Sequence, residues 1–163
     1  MNIVVAADKN WGIGKDNKLL VSIPKDMKSF REMTTGNVVV LGRKTLETFP
    51  NKQPLKNRTN IILSRDLNYK VEGAIVVHSI EELLEELKKY SEESIYIIGG
   101  DSIYKQMLQY CKVAHVTRID HAYEADTYFP DLDSSDEWKI EHESEEEVYF
   151  DITYSFVKYV RVK

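Results

Sequence analysis

Three short apolar runs each end abruptly in small, hydroxyl or basic residues: "NVVVLGRKT" from Asn37, "TNIILSRD" from Thr59 and "SIYIIGGDS" from Ser94. Aliphatic, β-branched runs without polar alternation belong to strands covered on both faces, as in the centre of a parallel sheet. Parallel neighbours cannot be joined by a tight turn, so helices must lie between them. "NIVVAA" (Asn2 to Ala7), "GAIVVHS" (from Gly73) and "VAHVTRI" (from Val113) read as further strands of the same kind.

Helix signals fall between these runs. Pro24 opens "PKDMKSFREMT", because proline suits the first helical position. "RKTLETF" follows the second strand directly. Ser79 is expected to cap a helix that carries Glu82 three residues on and Ile80, Leu83, Leu84 and Leu87 on one face. A fourth helix follows Gly99 and Gly100. "DKNWGIGKDNKL", from Asp8, is rich in glycine and asparagine and reads as a long loop. Near the end, "WKIEHE" and "VYFDITYSFVKYVRVK" alternate apolar and polar residues around the acidic "SEEE", the pattern of an antiparallel hairpin. The expected architecture is a single α/β domain over residues 1–163, with a mostly parallel central sheet, an antiparallel C-terminal edge and four flanking helices.

A chain of 163 residues can bury one core without staples. Its one cysteine, Cys111, permits no internal disulfide and reads as a buried small hydrophobe. The net charge of -5 speaks against a general nucleic-acid binder but allows a phosphorylated ligand held by a local cluster of donors. The opening apolar run is too short for a secretion signal and lacks a basic leader. No stretch approaches membrane-spanning length. A reducing, cytoplasmic location is expected, with no membrane or nucleic-acid partner.

Ligands of open parallel sheets bind beyond the carboxyl ends of the strands, where helix N-termini offer free N–H groups. Gly42, Arg43, Lys44 and Thr45 form one such junction, Ser64 and Arg65 a second, and Gly99 and Gly100 a third. Together they suit a ligand with phosphates at more than one place, such as a dinucleotide. There is neither a G-x-G-x-x-G fingerprint nor a P-loop motif.

Asp26 sits third in its helix, where the helix dipole favours an anion. Helical spacing also places it on a stripe with Met27, Phe30, Met33 and Thr34, which should face inward. A carboxylate facing an apolar cleft needs a partner, and no basic residue shares the stripe. A ligand with a fork of N–H donors would satisfy it. Both readings, dipole and ligand, stand. His78, His115, His121 and His142 lack metal-binding spacing, His115 and His121 reading as structural or exposed; no metal site is expected. There is no G-x-S-x-G nucleophile elbow.

In order along the chain, "VAA", "GIGKDNKL", "IPKDMKSFREMT", "VVVLGRKTLETFP", "NIILSRD", "IIGGDSIYKQML", "VTRID" and "ADTYFPD" resemble dihydrofolate reductase, nearly from end to end. The resemblance implies an eight-stranded, mostly parallel sheet, four helices, and NADPH-dependent hydride transfer to 7,8-dihydrofolate, giving tetrahydrofolate for one-carbon metabolism. It also implies a small, monomeric antifolate target. Asp26 would be the one ionisable group in the pterin pocket, binding ring N–H and amino groups and promoting protonation of the neighbouring nitrogen. Val5, Ala6, Met27, Phe30, Phe49, Leu55, Ile98, Tyr104 and Thr117 would line that pocket, and Arg58 would hold the glutamate tail. Ala7, Ile13, Gly14, Gly42, Arg43, Lys44, Thr45, Leu63, Ser64, Arg65, His78, Gly99, Gly100, Asp101, Ser102, Ile103 and Thr127 would hold the cofactor, Arg65 with Ser64 reading its extra phosphate. The Gly99–Gly100 bond would be cis, and the loop from Asp8 to Ile23 would close over the nicotinamide. The same likeness leaves room for a reductase of another heterocycle, or for a non-catalytic pterin- or nucleotide-binding relative.

Three features depart from the family pattern. Leu20-Val21 replaces the usual Pro-Trp, whose indole N–H would hold a water near Asp26. Asp101 follows the glycine pair, where a carboxylate turned away from phosphate to cap the helix is expected. "FPNKQPLKNR" is longer and more polar than the usual segment.

Overall fold

The computed structural model describes all residues 1–163. Its strands are β1 (Asn2–Ala7), β2 (Gly12–Gly14), β3 (Val38–Gly42), β4 (Thr59–Leu63), β5 (Ile75–Val77), β6 (Ile95–Gly99), β7 (Val113–Ile119), β8 (Thr127–Tyr128), β9 (Trp138–Glu143), β10 (Glu147–Tyr149) and β11 (Ile152–Arg161). The helices are α1 (Pro24–Thr34), α2 (Arg43–Leu46), α3 (Ile80–Leu87) and α4 (Asp101–Met107).

The main sheet runs β10-β11-β7-β1-β6-β3-β4-β5, eight strands in a row, with β9 as a ninth strand against β11. From β5 through β7 every pairing is parallel, and β11 turns antiparallel against β7. The C-terminal alternating segment divides in two, because Phe150 takes a positive φ of 55° and turns the chain between β10 and β11. The segment after Asp8 is more ordered than its glycine content suggests: β2 within it pairs with β8.

One face of the sheet is sealed. Ile3, Val5, Ala7, Val38, Val40, Ile61, Ile95, Ile97, Ala114 and Val116 join Leu83 and Leu87 of α3 and Tyr104 and Met107 of α4 in the main core. Cys111 lies there fully buried, donating to the Met107 carbonyl at 3.3 Å, with its thiol pushed up to about 12 by burial. The α3 start follows its capping signature: the Ser79 hydroxyl accepts from the Glu82 N–H at 3.1 Å, while the Glu82 carboxylate reaches back one residue further, to the His78 N–H.

The other face is divided. A patch around Val39, Leu41, Leu46 and Ile62 lies at one end, and a patch around Ile23, Ile119 and Tyr154 at the other. Between them stands α1, which buries only Thr34. This helix does not settle onto the sheet, and the gap beneath it is why β1 and β6 are only half-buried on that side at Val4, Ala6, Tyr96 and Ile98. The expectation of strands covered on both faces holds for β3, whose Val38 to Leu41 are all buried. It fails for β1 and β6 because a cleft opens over them.

Candidate active site

The cleft begins where two central strands part. β1 pairs with β7 along its whole length, but with β6 only at Asn2–Tyr96 and Ile3–Ile97. Beyond Ile3 the strands splay, the crevice position for ligands in parallel sheets. Tyr104 bridges the splay from α4, donating its hydroxyl to the Val4 carbonyl at 2.7 Å and so satisfying an acceptor that β6 no longer reaches.

Asp26 overlooks this crevice from the first turn of α1, whose start is set by Pro24 after an extended Ile23. Thr117 on β7 donates to Asp26 Oδ1 at 2.5 Å. Burial pushes the Asp26 carboxyl above the ordinary carboxylate value, and the Thr117 bond, which favours the charged form, opposes that. Burial, with a contribution from Asp26 itself, drives the Tyr104 phenol well above its ordinary value. Tyr104 therefore stays a neutral donor.

The stripe facing the sheet is Asp26, Ser29, Phe30 and Met33, at i, i+3, i+4 and i+7. Met27, expected to face inward, is 43% exposed. Ser29 takes the place expected of it, a position that apolar counting passes over because serine is polar.

The three junctions converge. β6, β3 and β4 are consecutive neighbours, so Gly99-Gly100, Gly42 to Thr45 and Leu63 to Arg65 lie side by side along one edge. The Gly99–Gly100 bond is cis, as expected. A Cβ at Gly42 would lie 3.2 Å from Ile103 Cγ1, and one at Gly100 would lie 3.3 Å from Thr45 Oγ1. The glycines thus keep open a backbone-lined cradle that side chains would fill, and this fits a pyrophosphate laid against free N–H groups. Arg43, Lys44 and Arg65 are exposed beside it. Arg43 is held by Glu47 at 3.1 Å and stacks over Tyr69 at 4.8 Å. His78 Nδ1 bonds the Ser64 carbonyl at 2.8 Å and fixes the β4 junction to the end of β5.

Not every expected residue points into the cleft. Val5 and Ala7 send their side chains into the sealed core, so only their backbones can meet a ligand. Asp101 is not the cap expected of it. Gly100 occupies the N-cap of α4, and Asp101 is the first helical residue, its half-exposed carboxylate 3.9 Å from Lys105 Nζ. The reason is the glycine pair, whose extended backbone already places the boundary one residue earlier. Phe49, Leu55 and Ile98 cluster half-buried at one end of the cleft. Arg58 anchors there, donating to Thr34 Oγ1 at 3.0 Å and to the Lys56 carbonyl at 3.0 Å. Burial and the nearby Arg31 lower its pKa from the ordinary guanidinium value.

Besides Ser29, sequence reasoning missed three residues that shape the site. Asn60 is buried and clamps Leu55, accepting from its N–H at 3.0 Å and donating to its carbonyl at 2.9 Å. Asp8 is buried and accepts from the N–H groups of Asn10, Gly12 and Tyr123 at 2.8 to 2.9 Å, tying the loop after β1 to the segment before β8. Arg118 lies 3.9 Å over the Trp11 ring and bonds Asp133 at 2.8 Å beneath the same loop. A polar residue directly after an apolar strand was the available signal for Asp8. At the far end of that loop, Gly14 pairs with Thr127 and Gly12 with Tyr128 across β2 and β8, with Ile13 between them. The Asp126 carboxylate accepts from the Asp16 N–H at 2.9 Å.

A parallel sheet with a phosphate-ready edge and a crevice overlooked by a shielded carboxylate fits the class of α/β enzymes that work with a nucleotide cofactor. Comparisons with known proteins sharpen this. The dihydrofolate reductase family model matches residues 1–161. Dihydrofolate reductase of Haemophilus influenzae is 39% identical over 140 residues, covering 86% of this chain and 84% of that protein. That of Staphylococcus haemolyticus is 37% identical over 139 residues, covering 85% and 81%. A bifunctional dihydrofolate reductase-thymidylate synthase of Glycine max is 35% identical across 99% of this chain, which spans only 33% of that longer protein. The solved structure of dihydrofolate reductase from Enterococcus faecalis complexed with NADP(H) and RAB-propyl superposes with a TM-score of 0.87 at 34% identity, covering 99% of this chain and 96% of that one. The chain belongs to the dihydrofolate reductase family.

Proposed function

We propose that this chain reduces 7,8-dihydrofolate to tetrahydrofolate with NADPH, and that Asp26 is the residue on which the reaction turns. The observation that carries the reading is the pairing of Asp26 with Thr117 at 2.5 Å in a crevice that meets the phosphate-ready strand ends. NADPH, when bound, supplies the hydride. Gly42 to Thr45, Leu63 to Arg65 and Gly99 to Ile103 would hold it. The exposed Arg65 and the Ser64 hydroxyl are the candidates to read its additional phosphate.

Asp26 Oδ1 is occupied by Thr117, so the carboxylate has a fixed orientation before any ligand arrives. It would accept the N–H and 2-amino donors of the pterin, a bidentate match. Burial raises its pKa, so it holds a proton beside the ring more readily than an exposed carboxylate would. Phe30, Phe49, Leu55 and Ile98 would exclude water from the ring, and Arg58 would meet the glutamate tail. The surroundings in which this reading places the protein are the cytoplasm and the monomeric state. No helix is long and apolar enough to cross a membrane.

The deciding experiment follows the loss of NADPH absorbance with dihydrofolate. Parent protein should turn over, and Asp26→Asn should slow it by about 100-fold or more, the usual weight of a positioned acid. Tight NADPH binding without turnover by the folded parent would overturn the reading. A 2,4-diaminopyrimidine antifolate should bind the parent and lose most of its affinity with Asp26→Asn.

A further inference from the structure

Beside Asp26 the gap under α1 continues from the crevice, with which it shares Val4, Phe30 and Thr117, outward over β7 and β11 as a cavity of about 200 Å³. Asp26, Ser29 and Met33 form its helix wall, and Thr117, His115 and Lys158 are among the residues of its floor. The register shows where it leads. Thr117 and His115 are two apart on β7 and share a face, and His115 is paired with Lys158, which is paired with His142 on β9. Strands are about 4.8 Å apart, so this row crosses roughly 10 Å from beneath Asp26 to the outer edge of the sheet. His142 is exposed and His115 half-buried. The passage therefore has a shielded carboxylate at one end and bulk water at the other.

We propose that this cavity is a lateral water passage to Asp26, by which the carboxylate exchanges protons with bulk solvent while substrate covers the crevice. The inference rests on the function proposed above. The space suffices for several water molecules, each taking about 30 Å³, and polar groups are spaced along it to hold them. The Ser29 hydroxyl lies one helical turn from Asp26, where an apolar residue would have filled the gap. Val21 packs against the Ile23, Ile119 and Tyr154 patch and carries no side-chain donor to hold a water. The reaction consumes one proton from solvent per turnover. A water beside Asp26 passes its proton to the carboxylate and takes one from the next water outward, so that the net change is one proton moved from bulk to the carboxyl. The titratable groups around this path are His115 of β7, Lys158 of β11 with Glu141 of β9 at 2.9 Å, His142 of β9, Tyr154 of β11, Tyr104 of α4, and Lys25 of α1 paired with Glu147 of β10.

The test is to block the passage at each end. Ser29→Leu fills the inner part, and His142→Leu replaces the polar side chain at the exposed mouth, on an edge strand, with an apolar one. Both should lower the single-turnover hydride-transfer rate at least five-fold and enlarge its solvent deuterium isotope effect, with NADPH and antifolate affinities within two-fold of parent. Parent-like rate and isotope effect in a folded blocked variant would overturn the passage. So would a slower rate with an unchanged isotope effect, which marks a packing defect. An inactive parent would instead overturn the function on which the passage rests.

Discussion

Thr117 in the middle of the sheet donates its hydroxyl to Asp26 Oδ1 across 2.5 Å and fixes the head of a helix that otherwise buries only Thr34. A bond to a charged partner is worth about 1.5–3 kcal/mol. Here it both orients the carboxylate and restrains the rise that burial imposes on its pKa. Thr117→Val should therefore move the Asp26 limb of the kcat/KM profile to higher pH by about one unit, since about 1.4 kcal/mol corresponds to one unit. Steady-state rates between pH 5 and 9 would show it, and an unmoved limb would separate Thr117 from the titration.

Asp26 should cost the fold stability at neutral pH. Its folded pKa is raised, so the native state binds more protons than the unfolded chain in the interval between the two values. Stability then falls as pH rises from the unfolded value, near ~3.9, through the folded one. Asp26→Asn removes that loss while keeping an oxygen for Thr117. Thermal melts should find the variant at least as stable as parent at pH 7, with the difference shrinking toward pH 4. A parent more stable than the variant at pH 7 would contradict this.

Tyr104→Phe deletes the donor that caps the Val4 carbonyl at the splay of β1 and β6. An acceptor left unpaired in a shielded site costs about 1–3 kcal/mol. Urea unfolding should register that loss with an unchanged m-value. An antifolate whose amino group can donate to the same region of β1 should recover part of it.

Gly42→Ala tests the cradle. Its φ of -86° suits any residue, so backbone strain is not at issue, and the added Cβ would meet Ile103 at 3.2 Å. The expected result is NADPH binding weakened about ten-fold or more by fluorescence titration, while antifolate binding to the apoenzyme stays near parent. Equal losses for both ligands would mean general disruption instead.

Asp8→Ala leaves three backbone N–H groups, those of Asn10, Gly12 and Tyr123, without their acceptor. The loop after β1 should loosen before the core does. Limited proteolysis should cut between Lys9 and Lys18 faster than in parent, and hydrogen exchange should rise at Gly12.

Much of this protein is legible in its residues alone. Apolar β-branched runs broken by Gly42, Ser64 and Gly99 dictate parallel strands with ligand-ready ends, because local chemistry decides both the extended backbone and the junction. Pro24, and Ser79 with Glu82, place helix starts for equally local reasons, and the order of quoted segments points to the family. The tertiary structure decided what depends on distance across the chain. Only the sheet order brings the three junctions onto adjacent strands. Only the splay of β1 from β6 turns half-buried Val4 and Ala6 toward a crevice. Asp26 finds Thr117 91 positions away, and Asp8 finds Tyr123 115 positions away. Such partners leave no period or spacing in the sequence, because hydrogen bonds between distant segments follow from how the elements pack. Ser29 shows the same limit: its hydroxyl reads as surface, and only the stand-off of α1 from the sheet makes it the wall of a cavity.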